Sequence, residues 1–267
     1  MDTAGNIGLI KDEILRIRGI NCDPEKQYFD RYGGGYPNEV SVALIDAVYS
    51  VQSNYNTMST RLKKLRHNLK ELHGWENSLR IFCQASESDI VEAMGNNRAA
   101  PSSPRSTTKA FAALQVAKRL TSQSPETAPP LKDALPALDS AKSINDFLDS
   151  NKPTHQRNEK LFRKECKSVL GIGDVTTDYF LMNLGIQKVK ADTMILRFIK
   201  RVTGTDVNTK EAAALITEAH HQLLSEERIH FDLLHCDNGI WAYERNLELV
   251  DETKPATGCS RSAKSAG

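Results

Sequence analysis

Two helical runs joined by Gly171-Ile172-Gly173 constrain this chain more than any other feature. Residues 169–198 read VLGIGDVTTDYFLMNLGIQKVKADTMILRF. Glycines at alternate positions let the backbone approach a neighbour closely and leave amides free at the start of the second helix, a site that suits a phosphate. That helix is expected over 175–183, with Asp174 as its N-cap and Leu184-Gly185 as its close. After a short polar link, Asp192 in Lys190-Ala191-Asp192-Thr193 opens a further helix. A phosphate holder followed by a lone acid points to chemistry on nucleic acid. The plainer alternatives are a tight helix–helix turn and an N-cap, and Asp is a preferred residue for the latter.

The rest of the chain also has the helical period. Ile7, Ile10, Ile14 and Ile17 form one stripe, closed by Gly19. Val40, Leu44, Val48 and Val51 form another, widened by apolar residues between them into a central buried helix that ends in Gln52-Ser53-Asn54. Further helices are expected over 59–72, 78–83, 87–94, 109–120, 143–148 and 159–170. Asn208 with Glu211 forms a capping-box start for a helix to Leu224, and 225–246 reads as the last helix. Residues 96–107 and 121–130 are Pro- and Ser-rich loops, and the tail 251–267 has a disordered composition. With no internal repeat and almost no strand signal, the expected fold class is all-α.

Net charge is +1, from 35 Lys and Arg against 34 Asp and Glu, so any basic surface must be local. Residues 61–70 hold five Lys or Arg and no acid, and 159–201 hold nine against five acids. The cysteines, Cys22, Cys83, Cys166, Cys236 and Cys259, never take the C-x-x-C spacing, which argues against a zinc ribbon or an iron–sulfur cluster. His220, His221, His230 and His235 with Cys236 read as helix-face residues, so neither metal nor cofactor is expected. Without a signal-peptide pattern or an apolar run of transmembrane length, the expected location is cytoplasmic, with no membrane contact.

Three stretches together resemble the helix-hairpin-helix DNA glycosylase superfamily, which contains endonuclease III, the adenine glycosylase and the alkyl-purine glycosylases. Residues 169–177 (VLGIGDVTT) stand for L-P-G-[VI]-G-x-x-T-A, and 190–197 (KADTMILR) for V-D-T-x-[VIL]-x-R. Upstream, 46–53 (DAVYSVQS) stand for the L-S-x-Q-[TA] segment. The resemblance covers 36–246, with 85–159 too divergent to align. Leu170 replaces the family's proline, Asp174 a basic residue, and Met194 a common histidine.

The resemblance implies two helical lobes. One spans 36–186 and ends in the hairpin, with 85–159 as a divergent insertion; the other joins 1–35 to 187–250. It implies a monomer acting on double-stranded DNA, releasing a flipped-out modified or damaged base in repair or in defence against modified phage DNA. Asp192 would be the catalytic acid, stabilising the oxocarbenium-like sugar and orienting water. Gly171, Ile172, Gly173, Thr176, Lys190 and Arg197 would hold the DNA backbone, and Gln52 and Ser53 would fill the gap left by the base. Tyr179 and Trp241 are candidates to stack on that base. Lyase-active members carry a lysine where Val175 stands, so a monofunctional enzyme is implied. The alternative is a non-catalytic DNA-binding protein with the same hairpin.

Overall fold

A computed structural model of the chain describes residues 3–23, 26–30, 32–50, 58–100, 107–121 and 135–252. Its helices begin with α1 (Thr3–Arg18), α2 (Val40–Ser50), α3 (Met58–Asn68), α4 (Leu79–Phe82), α5 (Glu87–Met94) and α6 (Lys109–Thr121). They continue with α7 (Ala141–Phe147), α8 (His155–Lys167), α9 (Asp174–Asn183), α10 (Thr193–Thr203), α11 (Thr209–Ser225) and α12 (Leu233–Glu252). The fold is all-α apart from a short antiparallel ribbon of β1 (Asn21–Asp23) and β2 (Lys26–Gln27), which pairs Asn21 with Gln27. No helix among the described residues is long and apolar enough to cross a membrane.

Two compact units divide the chain. The larger comprises Tyr32–Lys190 and Asp232–Leu234; the smaller comprises Met1–Arg31, Ala191–Phe231 and His235–Gly267. In the larger unit α2 is the central element, with every residue from Val40 to Tyr49 buried. It packs against α6 and α9. Ala43 and Ala47 on α2, with Ala110, Ala113 and Ala117 on α6, are fully buried small residues that permit close helix approach. Around them, fully buried Leu65, Ile90 and Ile144 each contribute about 2 kcal/mol of burial. Residues 85–159, which the motifs leave unaligned, thus supply α6 to the core, where it also packs on α4, α5 and α8.

The smaller unit packs α1 on α10 and α11. Ile10, Ile14 and Ile17 are all fully buried, as their spacing requires. Phe29 stacks on Phe231 with centroids 4.5 Å apart, and Tyr28 meets Tyr243 edge-on at 5.3 Å. At Gly239 of α12 a Cβ would lie 2.1 Å from the Phe29 ring, so this contact excludes any side chain there.

Some boundaries differ from the sequence reading. α8 is shifted towards the N-terminus, starting at His155 and ending at Lys167. The helix expected over 225–246 starts later than expected: α11 stops at Ser225, and α12 starts only at Leu233. Glu227 takes a left-handed φ of 55°, so the Glu227 amide reaches Leu224 O at 3.1 Å and the Arg228 amide Leu223 O at 3.0 Å. This pair of bonds is a Schellman closure. Glycine usually occupies that position; a glutamate there gives no sequence signal.

Candidate functional site

The hairpin belongs to the larger unit. After α8, Val169 and Ile172 turn into the core while Leu170, Gly171 and Gly173 are exposed. The Ile172 amide donates to Val169 O at 3.1 Å, closing the turn. The two glycines differ in what requires them. Gly171 has φ +89°, and a Cβ there would meet Ala99 Cβ at 2.6 Å and its carbonyl atoms at 2.7 Å. Gly173 has φ −106° and ψ −173°, extended backbone open to any residue, and a Cβ there would meet nothing within 4 Å.

Gly173, rather than Asp174, is the N-cap of α9, and no side chain caps the helix. Its carbonyl accepts from the Thr177 amide at 3.0 Å and from the Thr177 hydroxyl at 2.8 Å. Asp174 is therefore already helical. Its carboxylate pairs with Lys167 at 2.7 Å and Arg163 at 3.6 Å, so its charge beside the turn is offset by two cations. The amides of Asp174, Val175 and Thr176 lie in the first turn, where a helix supplies no acceptor. The Thr176 side chain is buried, so only its amide belongs to this surface.

Asp192 lies in the smaller unit and caps α10, its Oδ1 accepting from the Met194 amide at 2.9 Å and the Ile195 amide at 3.4 Å. It is half-buried. The basic residues after it are engaged in ion pairs within the smaller unit. Arg197 bonds the Glu244 backbone carbonyl and pairs with the Glu244 carboxylate at 3.4 Å. Arg201 reaches Glu244 at 2.6 Å and Glu13 at 2.7 Å, and Lys200 reaches Asp206 at 2.8 Å. Glu244 is 1% exposed, so these arginines satisfy a buried carboxylate on α12. Trp241, on the same helix, is half-buried, with the Arg245 guanidinium 5.3 Å from its ring centre.

Lys190 and Tyr179 meet within the larger unit. The Lys190 ammonium sits 4.0 Å from the Tyr179 ring centre. Tyr179 in turn hydrogen-bonds Asp46, a residue the motifs do not single out. Asp46 is 3% exposed on α2; its Oδ2 accepts from Asn183 Nδ2 at 2.9 Å, and its Oδ1 from the Ser50 hydroxyl at 3.3 Å. Burial pushes its carboxyl above the ordinary value, against the bonds from Tyr179 and Asn183 and the charge of Lys190. The available sequence signal was one acid inside the apolar run VSVALIDAVYS. Gln52 and Ser53 lie outside the described residues.

His220 is buried, with Nε2 2.9 Å from Phe231 O. Among the described residues no group of three His, Cys, Asp or Glu is placed to hold a metal ion. Cys83, Cys166 and Cys236 are free thiols. The family described as Domain of unknown function (DUF8548) matches residues 21–245. The chain belongs to that family. The DUF8548 match takes in the hairpin, Asp192 and all of α2 to α11. No curated protein and no solved structure matches the chain.

Proposed function

We propose that this DUF8548 chain is a DNA glycosylase that hydrolyses the N-glycosidic bond of a base flipped out of duplex DNA and leaves an abasic site. The observation that carries this is the contrast within the hairpin. Gly171 is demanded by its φ and by Ala99, whereas Gly173 stands in open space at the start of α9 with nothing local requiring it. A phosphate drawn up to the first-turn amides accounts for that space. Asp192 supports the catalytic half: two backbone amides orient its carboxylate, and an oriented carboxylate can stabilise an oxocarbenium-like sugar and align water. Val175 offers no amine, so water adds to the anomeric carbon of the sugar as the base leaves, and no Schiff base forms. The base would be damaged or otherwise modified, whether in repair or in defence against modified phage DNA.

One observation favours a second reading, a hairpin protein that binds DNA without catalysis. Arg197, Lys200 and Arg201, the cations that follow Asp192, are committed to Glu244, Asp206 and Glu13. Mass spectrometry of free bases released from duplexes carrying alkylated, oxidised, deaminated and glycosylated bases separates the two. A glycosylase liberates at least one of them. A purely binding protein retains the duplex and liberates none.

A further inference from the structure

The helix leading into the hairpin has a charged face that neither the hairpin nor Asp192 uses. α8 carries Arg157, Lys160, Arg163, Lys164 and Lys167 against Glu159 and Glu165. Part of this face lines an open depression of about 600 Å3, bordered by Gln156, Lys160, Arg163, Lys164, Lys167 and Ser168. Glu159 also borders it, but Arg163 at 2.9 Å and Lys188 at 2.8 Å already neutralise that carboxylate. Arg163 is further held by Asp178, and Lys167 by Asp174. Lys160 and Lys164 are exposed and make no ion pair among the described residues. The depression therefore keeps an uncompensated positive field.

Lys160, Lys164 and Lys167 follow an i, i+4, i+7 spacing and so share one side of the helix. The stripe rises about 10 Å, which matches about three phosphates of one DNA strand at its axial rise. Its C-terminal end is joined to the hairpin, because Lys167 pairs with Asp174, the first residue of α9. A strand whose phosphate sits on the α9 amides would thus have the next cations in line along α8.

We propose that Lys160 and Lys164 form a second contact with the DNA backbone, continuous with the hairpin and blind to base sequence. This rests on the reading of the hairpin as a holder of duplex DNA. Fluorescence anisotropy with an unmodified duplex over a salt series tests it. For Lys160→Gln with Lys164→Gln, the slope of log K against log salt should shrink by about 1.8, at about 0.9 per lost phosphate contact. Lys160→Glu with Lys164→Glu should weaken binding by about tenfold or more at moderate salt. Lys210→Glu, an exposed lysine on α11, should leave the slope unchanged. If the native chain binds duplex and both double variants keep its slope and affinity, the α8 contact is overturned while the hairpin reading stands. If the native chain binds no duplex at any salt, the DNA reading itself falls, and the α8 contact with it.

Discussion

Single residues separate what the fold needs from what a ligand would need. Gly171→Ala forces a left-handed φ on a side chain and drives its Cβ into Ala99, which should cost about 2–3 kcal/mol of stability in urea unfolding. Gly173→Ala meets no neighbour and should change stability by less than about 1 kcal/mol, yet weaken duplex binding by placing a methyl group where the phosphate approaches. Equal duplex affinity for Gly173→Ala and the native chain would remove the phosphate from the turn. Asp46 gives a pH-dependent prediction. Its folded pKa is raised above 3.8, so the folded chain holds that proton more tightly than the unfolded one. The stabilisation is fully present below the unfolded value and is lost as pH rises through the folded value. The stability of Asp46→Asn relative to the native chain should therefore climb from about pH 4 upward and level off once the Asp46 carboxyl has ionised. Glu13 and Glu159 shift the other way in both proteins and cancel in that difference. A difference that stays flat with pH would show that burial does not hold the proton.

At the scale of elements, local signals were readable and long-range ones were not. The Ile stripe of α1, the apolar run of α2, the Asp192 cap and the Asn208–Glu211 capping box all lie within a few residues of what they determine. The turn after α11 depends on Glu227 adopting a conformation its side chain disfavours, so sequence reading started the last helix directly after Leu224 rather than at Leu233. Arg197 shows the same limit. Its partner Glu244 lies 47 residues further on, and without α12 in view a basic side chain after Asp192 resembles a phosphate ligand. Asp46 is held by Asn183 across 137 residues, so only the fold explains an acid inside an apolar helix. The pairing of α10 with α12 predicts that Arg197→Gln lowers stability by about 1–2 kcal/mol while duplex affinity stays within about twofold. Urea unfolding with anisotropy checks both. A loss of affinity without loss of stability would return Arg197 to the DNA surface.

Across the whole molecule, a net charge of +1 gives no general attraction to nucleic acid, so the proposed binding rests on local arrangements, the first turn of α9 and the face of α8. The all-α class was legible because the 3.6-residue period recurs along the chain, and the turn between α8 and α9 because glycines interrupt that period. Under the proposed function, the catalytic group is one carboxylate held by two amides. The most direct test is release of free base from a modified-base duplex panel by the native chain and by Asp192→Asn, with duplex affinity measured alongside. A glycosylase predicts base release by the native chain and a loss of about a hundredfold or more in rate for Asp192→Asn, with duplex binding retained. Undiminished release by Asp192→Asn, or release by neither protein from any duplex that both bind, would contradict it.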